Sequence, residues 1–321
     1  MRIALLVTPF SDQNLQLAAQ IGATEIVSVY PGLELAVLLA IRDRVESFGM
    51  RLGVIERLVP TLRFVHNSAG RDQQIEDFKI LIRNMGEAGV PVLCYSWMPD
   101  DDWQRTSIDV LERGGARVTA LDLGEKSSVP NDTGFRAEIH APTSAGQLWE
   151  NLEYFLNEVV PVAEQCGVKL AMHPDDPPVD DLHGQARIMS TPEAFERLVK
   201  IVDSPSNGIC CCQGTFASAA AEYDMPALIR RLAPHIHFVH FRDVVGSMPS
   251  FRESFHDNGK TDMVACMQAY YDAGIDCPIR PDHAPTMAGE TNEFPGYHML
   301  GRLFAVGYIR GLMQSAERKL L

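Results

Sequence analysis

The sequence predicts an α/β protein built as a single-domain (β/α)8 TIM barrel with a long loop insertion after the fourth strand. Three observations predict it. Short β-branched apolar runs recur eight times along the 321 residues, each followed by helix-type periodicity. Strands alternating with helices make βαβ units, and eight of them close a barrel. No linker, repeat or low-complexity tract divides the chain, whose 46% hydrophobic and 22% charged residues are ordinary globular usage.

The elements follow in order. The first strand is read at residues 3–8 of MRIALLVTPF, an opening with one charge and too short an apolar run for a signal peptide. A helix at 15–21 leads to a strand at 25–30, and a helix at 35–48 to a strand at 51–56. The helix at 73–88 stops at Gly89, where a left-handed residue is wanted, before the strand at 91–95. Residues 98–147 are polar and turn-rich (Asp100-Asp101-Asp102, Ser127-Ser128, Pro130-Asn131-Asp132) and read as a long βα loop over the barrel mouth. The pattern at 149–166 contains Pro161, which predicts a kink or two helices. A strand at 168–173 follows. Thr191-Pro192 then supplies a capping hydroxyl and a first-turn proline for a helix at 192–202. The remaining strands are at 208–212, 236–240 and 278–282, separated by helices at 225–232 and 262–273.

Charge and cysteine usage exclude several functions. The net charge of −14, with no Lys/Arg run longer than two, argues against nucleic acid and anionic membranes as partners. No apolar run reaches the about 20 residues of a membrane span. Seven cysteines, three of them adjacent, are no disulfide framework. They point to a reducing cytoplasm and to a metal ligand or nucleophile.

Barrel chemistry sits at the C-terminal ends of strands. Strands five to eight end in His173, Cys212, His240 and Asp282, all metal-ligand types, and adjacent strands lie about 4.8 Å apart. Each residue alone has a plainer reading: a hydrogen-bonded structural histidine, a small buried cysteine or a loop-capping aspartate. Together they suit a borderline divalent ion, Mn2+, Fe2+, Co2+ or Zn2+, rather than Mg2+ or Ca2+. Strand alternation gives Arg242 the inward parity of His240 and Arg280 that of Asp282. These arginines hold an anionic, oxygen-rich ligand, or they pair with Asp175, Asp176 or Asp243. His283 follows Asp282 and is the best-placed group for proton transfer. Tyr297, after the Pro295-Gly296 turn, is either a packing residue or a second such group.

The segments NLEYFLNEVVPVAEQCGVKLAMHPDDPP, DSPSNGICCCQG, HFVHFRD, RPDH and PGYHMLGRL, with CYSWMPDDDWQRT earlier, resemble the mannonate dehydratases of hexuronate breakdown over nearly the whole chain. The resemblance implies a xylose-isomerase-like barrel and a divalent cofactor, Mn2+ first. It implies homo-oligomers and the conversion of D-mannonate to 2-keto-3-deoxy-D-gluconate and water. It places metal ligands on His173, Cys212, His240 and Asp282, proton handling on His283 and Tyr297, and a further family motif on Arg187 of QARIMST. The stretches RPDHAPTMAGE and VVGSMPSFRESFHDNGKTDM depart from the commonest family forms, and both lie on mouth loops where substrates are chosen. Two other readings stand beside this one. A divalent-metal sugar isomerase or epimerase on the same fold is disfavoured by a cysteine ligand. A non-catalytic sugar-acid-binding relative is disfavoured by an intact ligand set with His283 beside it.

Overall fold

In the computed structural model, residues 1–100, 104–127, 129 and 141–319 are described. The chain begins β1 (Arg2–Leu6), α1 (Asp12–Ile21), β2 (Glu25–Ser28), α2 (Leu35–Glu46), β3 (Arg51–Ile55), α3 (Leu62–Val65), α4 (Arg71–Ala88) and β4 (Val92–Ser96). It continues with β5 (Ser107–Leu111), β6 (Arg117–Asp122), α5 (Ala145–Cys166), β7 (Lys169–His173), β8 (Asp181–Leu182), β9 (Gln185–Ala186), α6 (Pro192–Ile201) and β10 (Asn207–Cys212). It ends with α7 (Gln213–Ser218), α8 (Met225–Leu232), β11 (Ile236–Phe241), β12 (Val244–Ser247), β13 (Ser250–Glu253), α9 (Met263–Asp272), β14 (Pro278–Pro281) and α10 (Met299–Lys319).

Eight parallel strands close in the order β1-β2-β3-β4-β7-β10-β11-β14 and back to β1. Every expected strand is present within two residues at either end. Nearly all their residues are buried, because one face fills the barrel and the other packs under helices. Ala4, Leu6, Val27, Val54, Val92, Cys94, Ala171, Cys210 and Phe238 fill the inside. The alternate residues, such as Leu5, Ile26, Leu93, Leu170 and Val239, face the helices together with Phe78 and Phe155. The three adjacent cysteines divide as strand alternation requires: Cys210 lies inside and Cys211 outside, near the Tyr270 hydroxyl at 3.5 Å.

Local signals set the helix ends. Ser144, Thr191 and Asp262 each cap the amide three residues on. Gly89 closes α4 with φ +71°. One expectation is narrowed to its single-helix form and one needs correction. Residues 145–166 form one continuous helix around Pro161. Pro161 lies on the exposed side, while Leu152, Phe155, Leu156, Val159, Val160 and Ala163 bury the other face on both sides of it, so packing outweighs the lost backbone bond. The stretch 98–147, read as loop, contains the hairpin β5–β6. This pairs through β6 with β13 to make a four-stranded antiparallel sheet β12-β13-β6-β5. Its turn signals at Asp101, Asp102, Ser128 and Pro130-Asn131-Asp132 lie outside the described residues. No helix among the described residues is long and apolar enough to cross a membrane.

Candidate metal centre and proton-transfer pair

The strand ends bring the expected residues together. His173 closes β7, Cys212 closes β10, His240 is the penultimate residue of β11, and Asp282 follows β14 directly. The ligand atoms of His173, Cys212 and His240 all lie within 4.8 Å of one another. Asp282 Oδ2 stands 3.7 Å from Cys212 Sγ and 3.7 Å from His240 Nδ1. His173 points Nδ1 at the Pro174 carbonyl, 2.7 Å away, which leaves Nε2 for the cluster. His240 is buried, and neither of its ring nitrogens makes a hydrogen bond of good geometry. Its Nε2 stands 3.0 Å from Glu56 Oε1, the arrangement in which a carboxylate orients a histidine that ligates through its other nitrogen. An orphaned buried imidazole beside a thiol and a carboxylate fits a divalent cation.

Buried carboxylates and arginines alternate around this cluster. Arg242 donates Nε and Nη2 to Glu253, both at 2.8 Å, and Nη1 to Asp176 at 3.0 Å. Its Nη1 also stands 3.4 Å from Asp282 and 3.6 Å from Cys212 Sγ. Arg105 bridges Asp176 at 2.9 Å and Glu253 at 2.7 Å. Arg280 makes a fork with Glu56, 2.9 Å on each arm, and meets Asp282 Oδ1 at 3.0 Å. Burial alone would raise all four acids. Neighbouring charges reverse that, His283 and then Arg280 for Asp282 and guanidinium groups first for the others, holding Asp282, Asp176 and Glu56 well below the usual carboxylate range and Glu253 at about 2. Gly214 makes the room: a Cβ there would sit 2.5 Å from Arg242 Cγ.

Arg242 and Arg280 are therefore committed to protein carboxylates, and the ion-pair alternative holds for Arg242 through Asp176. Asp175 instead accepts from the Met189 amide at 2.7 Å, and Asp243 from the Val244 amide at 2.8 Å. Arg187 pairs with Asp100 at 2.5 Å, and its Nε and Nη1 have no hydrogen-bond partner among the described residues.

The proton-handling candidates form a chain. Glu253 Oε1 stands 3.0 Å from His283 Nδ1, and His283 Nε2 stands 3.0 Å from the Tyr297 hydroxyl. An Nδ1–H donated to Glu253 leaves Nε2 to accept from Tyr297. Burial lowers His283, opposed by Asp282 and Glu253, and desolvation pushes the Tyr297 phenol up to about 12. Arg57 and Arg302 lie against the Tyr297 ring at 4.4 and 4.6 Å.

A cavity of about 500 Å3 opens onto His173, His240, Asp282, His283 and Tyr297 and is also walled by residues 57–61 of the loop after β3 and by Leu62 and Arg63 of α3. Arg57 and Leu58 there hold φ of +62° and +60°, conformations costly for bulky side chains.

Sequence reasoning missed Glu56, Arg105 and Glu253. Glu56 is within reach of the sequence, because it ends the third expected strand, at 51–56, and so falls under the same strand-end rule. Glu253 and Arg105 carry no such signal; a sheet joining two distant loops delivers them.

The D-mannonate dehydratase (UxuA) family model matches residues 15–320. Mannonate dehydratase from Oceanobacillus iheyensis is 35% identical over 298 residues, covering 87% of this chain and 84% of that protein. The Thermotoga neapolitana mannonate dehydratase is 34% identical over 328 residues, covering 93% and 90%. The crystal structure of mannonate dehydratase from Streptococcus suis serotype 2 superposes with a TM-score of 0.90 at 31% identity, covering 100% and 96%. A D-tagatose 3-epimerase-like protein, at TM-score 0.64 and 15% identity over the full length of both chains, shares the fold. A barrel closed by eight parallel strands, four ligand-type side chains at consecutive strand ends and these matches lead to one conclusion: the chain belongs to the D-mannonate dehydratase family of hydro-lyases.

Proposed function

We infer that the protein dehydrates a sugar acid, D-mannonate first, to 2-keto-3-deoxy-D-gluconate and water. The observation that carries this reading is the His283–Tyr297 pair, 3.0 Å apart, facing the same cavity as the four-residue cluster. Dehydration removes the proton from C2 and the hydroxyl from C3 as water. The enol left behind takes a proton at C3 and becomes the 2-keto acid. The C2 proton is weakly acidic, and the departing hydroxyl must be protonated, so two positioned proton carriers are needed.

His173, Cys212, His240 and Asp282 would hold a divalent ion, with Mn2+ proposed and Fe2+, Co2+ or Zn2+ suited to the same mixed donors. When bound, it supplies Lewis-acid stabilisation of charge developing on the substrate carboxylate. His283 and Tyr297 carry the two proton transfers. Glu253 fixes the His283 tautomer, and Arg105 and Arg242 fix Glu253. Arg280 holds Asp282 and Glu56 in place beside the substrate. The unpartnered donors of Arg187 supply hydrogen bonds for substrate oxygens. The free state of all seven cysteines supports a reducing cytoplasm. The exposed Phe294, Leu300 and Phe304 support a homo-oligomer, which sedimentation checks.

The test is turnover of D-mannonate by enzyme loaded with each of the four metals, assayed for the 2-keto-3-deoxy acid. Absence of product with all of them rejects the substrate. Exchange of the C2 proton without loss of water would instead indicate an epimerase or isomerase.

A further inference from the structure

One layer below the mouth lies a second group of donors. Cys94 from β4 and Cys210 from β10 point into the barrel. Their sulfurs and one ring nitrogen of His240 all lie within 4.8 Å of one another. The rest of that layer is apolar, with Val54, Ala171 and Phe238 among its members. Cys94 and His240 both line the cavity, which gives a small ion a way in.

The topology decides what these thiols can do together. β7 lies between β4 and β10 and pairs with each. Across β7, Cys94 lies level with Gly208, two residues before Cys210, so the Cα atoms are separated by two strand spacings, about 9 Å, and a two-residue stagger as well. A disulfide needs Cα atoms within about 6.8 Å, so direct oxidation to a cystine is closed off. A bridging ion has no such limit. Metal–sulfur bonds of about 2.3 Å in a tetrahedral shell set the sulfurs about 3.8 Å apart, inside the observed spacing.

We propose that Cys94, Cys210 and His240 form a second metal site, selective for thiophilic divalent ions such as Cd2+ and Zn2+, whose occupation inhibits the enzyme by taking His240 from the mouth. Each thiol loses its proton to solvent as its metal–sulfur bond forms, so one ion releases two protons. A divalent ion with two thiolates is neutral, which is why apolar walls and the nearby Arg280 tolerate it. Mn2+ favours oxygen and nitrogen donors and stays at the mouth. A neutral imidazole has one free lone pair, so His240 serves one ion at a time. This competition rests on the reading of His240 as a ligand of the mouth site.

The experiment adds Cd2+ to Mn2+-loaded full-length enzyme. It follows the thiolate-to-cadmium ultraviolet band, proton release and free Mn2+ by paramagnetic resonance. The wild type is expected to show two thiolates per Cd2+, two protons released and Mn2+ set free. Cys210→Ala is expected to keep Mn2+-dependent turnover and to need at least about tenfold more Cd2+ for inhibition, the scale of losing one metal partner. Cys94→Ala is expected to lose the same band. A band and inhibition unchanged in Cys210→Ala, with the band lost in Cys212→Ala, would overturn the proposal, since Cd2+ would then be replacing Mn2+ at the mouth alone. If the wild type takes up no Mn2+, the mouth reading fails separately, and Cd2+ still reports on the two lower thiols.

Discussion

At the barrel mouth, Arg105, Arg242 and Arg280 interleave with Glu56, Asp176, Glu253 and Asp282, all of them buried. One layer down, the same strands place Ala4, Val27, Val54, Val92, Ala171 and Phe238 around the two thiols. The lower layer stabilises by exclusion of water and close packing. The upper layer is costly to desolvate and survives because every carboxylate has a guanidinium partner. The difference teaches that function and stability are divided along the strand direction, within a few residues of each strand, so substitutions in the two layers should fail in different ways.

The largest expected effect is at the mouth. Cys212→Ala should lose metal and turnover together, by about 10³-fold or more in activity, with little change in melting temperature. Elemental analysis beside a kinetic assay checks it, and full metal retention would mean a different ligand set. Phe238→Ala should do the reverse. It should cost about 3–5 kcal/mol of stability in denaturant titration, while the folded fraction turns over normally at low temperature. A loss of turnover without a loss of stability would break the division between layers.

Glu253→Gln comes next. It keeps the side-chain shape but leaves Arg105 and Arg242 short of a negative charge. The expectation is a kcat about 10–100-fold lower with KM and metal content nearly unchanged; a change in KM alone would mark Glu253 as a substrate contact. The smallest effect is on acid stability. Glu253 ionises at about 2 in the folded protein against 4.5 ordinarily. Its contribution is therefore fully present above about pH 4.5 and is lost as pH falls toward 2. Thermal melts across that window should fall more steeply for wild type than for Glu253→Gln, and parallel curves would remove the assignment.

The lower layer and the strand ends were legible in the sequence because both depend on local pattern. Apolar runs with capping residues such as Thr191 and Gly89 fix where each strand stops, and parity then places His173, Cys212, His240 and Asp282 inward. The pairing of charges was not legible. Arg242 had plausible partners in Asp175, Asp176 and Asp243, and parity cannot rank them. Its main partner, Glu253, comes from a hairpin whose placement depends on β6, more than 120 residues earlier in the chain. Short strands such as Ser107–Leu111, half exposed and partly polar, carry too weak an alternation to reveal that pairing. Pro161 shows the limit of a local rule: an apolar face packed on both sides of it keeps residues 145–166 in one helix rather than two.

The β6–β13 pairing also bears on how this barrel can be altered. Loops at a barrel mouth ordinarily behave as exchangeable modules. Here the segments after β4 and β11 share one sheet, and Arg117 bridges to Thr286 in the segment after β14. A graft of any one of these three alone would leave unpaired backbone edges and displace Arg105 or Glu253. The segment of residues 57–63, the loop after β3 and the start of α3, takes no part in that sheet, yet it walls the cavity. Redesign of substrate range has its freest ground there, by point changes at Leu58, Val59 or Leu62, while the stitched loops change only as a set.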